Sequence, residues 1–443
     1  MTRNKIDGHP SPPHPSPPAP VSRRAFLGSA AAGVAALASS PLRLAADSKS
    51  ITPAAAFDPA IEEFMKERGV PGAALAVLKD RRLVYARGYG WADRDRKIPA
   101  TPDSLFRIAS ISKPFTAVAV LRLVQDKKLA LDARVFDALN LGAQLPPNAQ
   151  LDERWKQISI RQLLHHTAGW DRDQSGDPMF NSREIARAVD EPPPAKPSAI
   201  IRWMLGRSLD FDPGARYAYS NFGYCLLGRV IEKLTRRPYE TFMRESILAP
   251  AGIRRMRIGA SNVKGRAKGE VCYYMQKDSK NGSVLKDSKS QVPLPYGSFY
   301  LEAMDSHGAW IASAVDLVRF AAALDDPAHS PLLRPEFCAQ LYDPPAPRVS
   351  RNAAGQLADH YYGCGWLVRP VGENGKANYW HNGSLPGTYT FLVRLASGVS
   401  YAILFNQRSD DGKNGDAVID PALVRAARAV TDWPQTDLFK TFK

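Results

Sequence analysis

The order of apolar and polar residues predicts β-strands toward both ends of the chain. Two apolar runs at residues 73–78 and 83–89 are separated by polar residues, a spacing typical of a β-hairpin. Strand patterns return near the carboxyl end, at residues 365–370, 389–395 and 399–406. Strands at both ends are accommodated most economically in one antiparallel sheet.

Between these strands the apolar residues recur at helical spacing. The pattern turns helical at Ser110, and further helical segments follow at residues 160–165, 200–205 and 221–234. Ser313 and Asp316 form a capping-box pattern for a helix that ends near Leu324. The predicted fold class is therefore α/β (α+β). The chain should form an antiparallel sheet flanked by helices, with a mainly helical domain attached.

Two Asp-Pro pairs predict the first and last helices that accompany the sheet. An aspartate at the N-cap followed by proline at the first helical position is a common helix start. The pair at 58–59 predicts a helix that runs to about Arg68 and stops at Gly69, and the pair at 420–421 predicts a closing helix.

These patterns divide the chain into a leader and two domains. Residues 52–109 and 300–443 form the predicted sheet domain, and residues 110–299 form the mainly helical domain. Within the helical domain, residues 264–290 are rich in Lys, Ser, Asn and Gly and are predicted to be a surface excursion.

Residues 1–46 have the features of a Pro-rich leader followed by an export signal. Arg23 and Arg24 precede a short apolar run, as in a twin-arginine signal, and small residues at 36–38 or 44–46 fit a cleavage site. The run is shorter than the roughly 20 apolar residues of a membrane span, so no stable span is expected in the mature chain. We expect a periplasmic or secreted protein; the alternative is an apolar helix packed on the sheet domain.

Composition excludes several function classes. The chain has 443 residues, is 44% hydrophobic, and carries a formal net charge of +15 with a sequence pI of about 9.6. Its Lys and Arg are scattered and no nucleic-acid-binding motif occurs, so no nucleic-acid partner is expected. The four cysteines are far apart, and neither a zinc-hydrolase motif nor a Gly-rich phosphate loop is present. We therefore expect no metal and no cofactor; the disulfide status and the oligomeric state stay open.

The first candidate for chemistry is the Ser-x-x-Lys pattern of Ser110 and Lys113. On a helix these positions share a face, so the amine can accept the serine proton or lower the pKa of the hydroxyl. Two other Ser-x-x-Lys matches, beginning at Ser261 and Ser283, lie in polar sequence that is typical of solvated surface. Only the match at Ser110 stands between an apolar lead-in and an apolar helix.

Two further motifs gain weight from their order along the chain. Tyr219 and Asn221 form a Tyr-x-Asn pattern, in which a tyrosine near lysine ionises more easily and acts as a base. His381, Gly383 and Ser384 follow an apolar stretch that, placed on an edge strand, would line a cleft. Taken singly, each motif is better explained by a structural feature: a buried tyrosine beside an N-cap, or a histidine in a structural hydrogen bond.

In this order the motifs resemble those of the serine β-lactamases of class C, the D,D-peptidases and the family VIII esterases. The resemblance runs from about Phe57 to Asn406. The matching segments are residues 105–113, 163–169, 213–214, 219–221 and 381–383. It implies a β-lactamase/transpeptidase-like fold with the active site between the two domains.

The resemblance also implies a two-step reaction through an acyl-enzyme on Ser110. Lys113 and Tyr219 would share proton transfer, and Asn221 and His381 would position a small-molecule or peptide substrate. The backbone N–H groups of Ser110 and Ser384 would form the oxyanion hole, with Gly383 letting the substrate approach. His166 is expected to support the helical domain, not to react, and His165 likewise.

The substrate is less well determined than the family. A histidine at the third motif is charged only part of the time near neutral pH, and Asn382 stands where β-lactamases and D,D-peptidases have a hydroxyl residue. We therefore rank an ester or amide hydrolase first, a D-amino-acid peptidase second and an effective β-lactamase third. A penicillin-binding or sensing protein with slow deacylation is a further alternative, whereas an α/β-hydrolase is disfavoured because no G-x-S-x-G motif occurs.

Overall fold

A computed structural model describes residues 50–146, 149–285, 290–351, 355–372, 375–408 and 415–442. The predicted leader at 1–46, with its arginine pair and both cleavage positions, lies outside these residues. No helix in the described ranges is both long enough and apolar enough to cross a membrane.

The helices of the described chain are α1 Pro53–Arg68, α2 Ser112–Gln125, α3 Val135–Leu139, α4 Ile160–Leu164, α5 Arg172–Ser175, α6 Ser182–Ala188, α7 Pro197–Leu205, α8 Asn221–Thr235, α9 Tyr239–Met243, α10 Ala314–Leu324, α11 Pro335–Gln340 and α12 Asp416–Ala429. Most of them lie between the two groups of strands, as the periodicity predicts. Ser313 caps α10 through the predicted capping box with Asp316.

The strands are β1 Gly72–Lys79, β2 Arg82–Asp93, β3 Ile98–Pro99, β4 Phe106–Arg107, β5 Arg257–Ile258, β6 Tyr274–Met275, β7 Lys280–Gly282, β8 Gln291–Pro293, β9 Trp310–Ala312, β10 Tyr361–Tyr362, β11 Leu367–Pro370, β12 Ala377–Leu385, β13 Thr388–Arg394, β14 Val399–Phe405 and β15 Gln407–Arg408. The main sheet has the order β10-β11-β12-β13-β14-β1-β2-β3, and neighbouring strands are antiparallel. The predicted joining of both ends of the chain in one antiparallel sheet is therefore confirmed, through the pairing of β1 with β14.

Strand β1 is buried on both faces, which explains its unbroken apolar run. Successive side chains of a strand point to opposite faces. The odd-numbered residues 73, 75 and 77 pack with apolar residues of α1 and α12, and the even-numbered residues 74, 76 and 78 join the larger core that contains α2 and α10. The sheet thus lies between a two-helix layer and the remaining helices.

Both Asp-Pro predictions place the helix start too late. Helix α1 begins at Pro53 with Thr52 as its N-cap, so Pro59 is inside the helix. Helix α12 begins at Asp416 and likewise contains its Asp-Pro proline. In both pairs the aspartate accepts hydrogen bonds from sheet tyrosines instead of capping: Asp58 from Tyr85 and Tyr89, and Asp420 from Tyr401.

The segment predicted as a surface excursion is in part a core element. Val271 and Tyr273 are buried, and Tyr273 Oη accepts a hydrogen bond from the backbone N–H of Arg107 at 2.8 Å. The Arg107 guanidinium lies 4.4 Å from the centroid of the same tyrosine ring. The surface prediction is thus wrong for the middle of the segment, which packs beneath the strand leading to Ser110.

The division between the sheet and helical domains at residues 109/110 and 299/300 stays a prediction. From Ser50 onward the chain forms one compact unit. Helix α2 joins the two parts, because its residues 112–121 are buried on all sides, as expected for a central helix.

Candidate active site

Ser110 lies in a tight turn at the start of the central helix. The turn, a 3-10 helix over Ala109–Ile111, leads directly into α2. Ala109 has a left-handed backbone with φ of 47°, a conformation that is uncommon for a residue with a side chain and concentrates at functional sites. Both neighbours of Ser110 in the turn are buried, whereas Ser110 itself is partly exposed.

Strands β12 and β13 hold the segment that precedes this turn. Thr388 Oγ1 donates to the carbonyl of Arg107 at 3.0 Å, and Thr390 Oγ1 donates to the carbonyl of Ile108 at 3.0 Å. A Cβ added at Gly383 would lie 2.2 Å from the Ile108 carbonyl oxygen. The third predicted motif therefore lies in close contact with the serine segment, and this contact requires a glycine.

Lys113 is buried beside the candidate nucleophile. Its Nζ lies 3.1 Å from Ser110 Oγ, 2.7 Å from Asn221 Oδ1 and 3.1 Å from the carbonyl oxygen of His307. The structure thus brings together Ser110, Lys113 and Asn221, which sequence reasoning selected.

The surroundings of Lys113 favour its neutral form. Burial lowers the pKa of Lys113 well below its usual range; the Arg172 guanidinium lowers it further, and the Asp177 carboxylate raises it. A neutral amine has two hydrogens and one lone pair. Two of its three partners, an amide oxygen and a carbonyl oxygen, only accept, so the lone pair is directed at the Ser110 hydroxyl.

Tyr219 lies on the other side of the amine. Lys113 Nζ is 4.7 Å from the centroid of its ring, and the Arg172 guanidinium is 4.6 Å from the same centroid. Burial raises the pKa of Tyr219 by more than the Ser110 hydroxyl and Arg172 lower it. The expectation that this tyrosine ionises easily is therefore wrong. Its hydroxyl is buried and makes no hydrogen bond of normal geometry with a described residue.

Asn221 connects the lysine to a carboxylate that sequence reasoning missed. Asn221 is the first residue of α8, and its Nδ2 donates to Asp177 Oδ2 at 2.6 Å. Asp177 also caps the short turn Pro178–Phe180 by accepting from the backbone N–H of Met179 at 3.1 Å. The carboxylate is thus held by its own turn while it binds the amide.

His381 is buried and neutral, which corrects the expectation of a partly charged side chain. Its Nδ1 donates to the carbonyl of Asn382 at 2.6 Å, so its Nε2 accepts from Tyr362 Oη at 2.9 Å. Burial lowers the pKa of His381 to about 3. The third motif therefore provides no positive charge near neutral pH.

The strand that carries His381 is not at the edge of the sheet, contrary to the prediction. Strand β12 lies between β11 and β13, but its pairing with β11 ends at Trp380. In the described chain, the half of β12 that contains Gly383 and Ser384 pairs only with β13. Ser384 Oγ accepts a hydrogen bond from the Arg408 guanidinium at 3.3 Å. The oxyanion-hole role of its backbone N–H stays a prediction.

His166 supports the loop that carries the tyrosine. Its Nδ1 accepts from the backbone N–H of Ser220 at 3.2 Å, and its ring centroid lies 4.3 Å from that of Tyr219. His165 contacts the thiol of Cys364 at 3.6 Å. Both histidines are buried, which fits the supporting role expected for them.

Sequence reasoning missed Arg172, Asp177, the His307 carbonyl and Tyr362. The carbonyl of His307 carries no sequence signal, because every residue has one. Asp177 precedes Pro178, a pattern that predicts a helix start but no contact with Asn221. Only the fold brings these groups to the site.

A cavity of about 280 Å³ adjoins the site on the side of Asn221 and Asp177. Trp170, Trp203 and Met204 provide apolar walls, and its polar lining includes Asp171, Arg172, Arg207 and Asp210. Among the described residues, no group of His, Cys, Asp and Glu is arranged to hold a metal ion. The four cysteines, Cys225, Cys272, Cys338 and Cys364, are free thiols.

A fold with this sheet, and a serine–lysine pair at its central helix, has the β-lactamase/transpeptidase-like architecture. The family model described as Beta-lactamase matches residues 57–424, and the chain belongs to the β-lactamase family. The family recognised from the motifs is thereby confirmed.

Individual relatives agree with this assignment. Penicillin-binding protein 4* of Bacillus subtilis (strain 168) is 26% identical over 349 residues, which is 77% of this chain and 69% of that protein. Further curated relatives are matched over only 39% of their own length.

Solved structures confirm the β-lactamase/transpeptidase-like fold. A D-amino acid amidase from Ochrobactrum anthropi SV3 has a TM-score of 0.63 and 23% identity, over 84% of this chain and 98% of that one. EstCE1, described as a hydrolase with promiscuous acyltransferase activity, has a TM-score of 0.64 and 20% identity, over 86% of this chain and 98% of its own.

Proposed function

We propose that this protein is an exported serine hydrolase that cleaves an ester or amide through an acyl-enzyme on Ser110. The observation that carries the proposal is the environment of Lys113. Its amine lies 3.1 Å from Ser110 Oγ, and its other two partners are acceptors. That arrangement suits a base that removes the serine proton at neutral pH.

The proton route follows from the opposite pKa shifts of lysine and tyrosine. Lys113 accepts the proton of Ser110 as the serine oxygen attacks the substrate carbonyl carbon. Tyr219, which is neutral, donates its proton to the leaving group and regains one from the Lys113 ammonium. Water then attacks the acyl carbon and gives a proton to Lys113, which returns it to Ser110 Oγ as the bond to the serine breaks and the acid is released.

The neutral third motif favours substrates without a carboxylate beside the reacting carbonyl. A β-lactam or a D-Ala terminus presents such a carboxylate, and a buried neutral His381 offers it no charge. We therefore keep the order ester or amide, then D-amino-acid peptide, then β-lactam. The similarity to a D-amino acid amidase and to EstCE1 supports the first two classes. A penicillin-binding protein with slow deacylation is the alternative.

The test compares the mature protein with its Ser110→Ala variant. We expect kcat/KM on a p-nitrophenyl ester and on a D-amino acid amide to fall to the level of the uncatalysed reaction. A chromogenic cephalosporin should be a poor substrate. Intact mass after mixing with the ester should show an acyl adduct on wild type only.

Ser397→Ala, an exposed serine in the turn between β13 and β14, is the matched control and should behave as wild type. Equal turnover by wild type and Ser110→Ala would refute the proposal. An adduct that forms from penicillin and persists for hours, without ester or amide turnover, would favour the penicillin-binding alternative.

A further inference from the structure

An uninterrupted chain of contacts links the candidate nucleophile to Asp177. Ser110 Oγ lies 3.1 Å from Lys113 Nζ, which lies 2.7 Å from Asn221 Oδ1. Asn221 Nδ2 in turn lies 2.6 Å from Asp177 Oδ2. Of these four residues, Asp177 alone is outside the sequence motifs, and it has no contact with the serine.

The carboxylate determines which way the Asn221 amide faces. An ionised carboxylate accepts hydrogen bonds and does not donate them. The NH₂ group of Asn221 must therefore face Asp177, and the amide oxygen must face Lys113. With the amide reversed, its NH₂ group would compete with the Ser110 hydroxyl for the lysine lone pair.

We propose that Asp177 is a positioning residue: it holds the Asn221 amide so that the Lys113 lone pair is left for Ser110. The inference rests on the proposed function. Asp177 would act on the base through the Asn221 amide, whereas in the Ser-His-Asp hydrolases a carboxylate orients the base directly. Asp177 is suited to this role because the Met179 N–H also holds its carboxylate.

The charged and titratable groups around Lys113 come from several elements. Arg172 acts on it from the start of α5 and Asp177 from the cap of the turn Pro178–Phe180. The buried His166, His307 and His381 are neutral neighbours. The rings of Tyr219 and Tyr224 flank the amine. Among these groups Asp177 raises the pKa of Lys113, whereas Arg172 lowers it.

The experiment measures pH profiles of kcat and KM for Asp177→Ala and Asp177→Asn on a p-nitrophenyl ester. Removal of a partner that orients a reacting group costs about 10–100-fold at metal sites, and we expect a loss of that size in kcat for Asp177→Ala. KM should change little, because Asp177 is separated from Ser110 by two side chains. Asp177→Asn keeps the size and an acceptor oxygen, so its kcat should be intermediate.

The pH profile separates positioning from simple structural support. Activity needs neutral Lys113, so kcat falls on the acid side as the lysine gains a proton. Asp177 raises the pKa of Lys113, and loss of its charge should move this acid limb to lower pH. Glu184→Gln is the matched control: it removes one negative charge at an exposed side chain of the nearby helix α6 and should leave the limb in place.

A double-mutant cycle tests the route through the amide. In an Asn221→Ala background, Asp177→Ala should cause no further loss of kcat, since both changes break one chain of contacts. Losses that multiply would overturn the proposal, as would Asp177 variants with the kcat and pH profile of Glu184→Gln. If Asp177→Ala does not fold, Asp177→Asn takes its place. An acid limb that moves to lower pH supports the proposal, and a limb that stays in place overturns it.

Failure of this inference can be distinguished from failure of the proposed function. If Ser110→Ala is inactive while the Asp177 variants resemble wild type, only the positioning role is refuted. If Ser110→Ala retains wild-type turnover, the serine mechanism itself is refuted, whatever the Asp177 variants do.

Discussion

Burial gives Lys113 and Tyr219 opposite roles at the residue scale. Removal from water disfavours the charged form of either group, so it lowers the pKa of the amine and raises that of the phenol. Burial thus favours a lysine in its neutral form, which accepts protons, and a tyrosine in its protonated form, which donates them. The roles of base and acid follow from burial, whereas sequence reasoning let Lys113 and Tyr219 share proton transfer and expected the tyrosine to ionise easily.

Tyr219→Phe should separate these roles. Loss of a proton-transfer group typically costs roughly 10²–10⁴ in rate, and we expect a loss in this range on an amide, whose leaving group must be protonated. The loss should be smaller on a p-nitrophenyl ester, because nitrophenolate leaves without a proton. The ratio of the two kcat/KM values is the measurement. Tyr217→Phe, at a neighbouring ring, is the control, and equal losses on both substrates would contradict an acid role.

The site residues that sequence reasoning found are those with short, fixed spacings. Ser110 and Lys113 are three positions apart at a helix start, and Tyr219 and Asn221 are two apart before α8. Asp177 lies 44 positions from Asn221 and meets it only because the chain folds back. The neutrality of His381 was also hidden, since its lowered pKa depends on burial and on the nearby Lys113.

At the scale of elements, the contact between β12 and the serine segment determines the position of the nucleophile. Strand β13 binds the same segment through two threonines, and β12 approaches so closely that Gly383 has no room for a side chain. The sheet thus fixes the turn that presents Ser110, while α2 supplies the lysine.

Gly383→Ala should therefore lower kcat/KM, although Gly383 is not itself a reacting group. Its Cβ would lie 2.2 Å from the Ile108 carbonyl oxygen and 2.4 Å from Thr390 Oγ1, so one of the two elements must move. A displacement of 1 Å at a reacting group costs about 10²-fold, and we expect kcat/KM to fall by about that factor. Overpacking should also lower the free energy of unfolding by about 1–3 kcal/mol.

Gly142→Ala is the matched control, because its Cβ would meet its nearest neighbour at 3.5 Å, an ordinary contact. Urea unfolding and ester kinetics on both variants check the prediction. A Gly383→Ala enzyme with wild-type kcat/KM would show that the contact does not position Ser110.

Sequence patterns predicted the elements well where local signals act alone. The hairpin of β1 and β2 and the Ser313 capping box are present as predicted. The two Asp-Pro starts failed because Asp58 and Asp420 bind tyrosines of the sheet. The polar segment after residue 264 was misjudged because Tyr273 packs against Arg107, a contact between residues 166 positions apart.

At the scale of the whole molecule, the free thiols of all four cysteines bear on the proposed export. A fold without disulfides forms equally well in a reducing compartment, and a twin-arginine substrate folds there before transport. The compact unit from Ser50 onward begins after both predicted cleavage positions. The periplasmic or secreted location stays a proposal.

Replacement of Arg23 and Arg24 by lysine should retain the protein in the cytoplasm, because the paired arginines are the recognition feature of the signal. The retained protein should be folded and active on the ester. Fractionation of cells, with ester activity assayed in each fraction, measures the effect. Arg43→Lys, also within the predicted leader, is the control, and unchanged export of the double variant would refute a twin-arginine route.

The surroundings that make Lys113 a base come from parts that are distant along the chain. The lysine is three positions from Ser110, but it receives its other partners from Asn221 and from the carbonyl of His307, 108 and 194 positions away. An unfolded or partly folded chain therefore has the lysine near the serine but lacks the partners that bind and bury its amine. Labelling of Ser110 by an acylating fluorescent probe should thus count correctly folded molecules, and it would measure the quality of any preparation or variant of this protein.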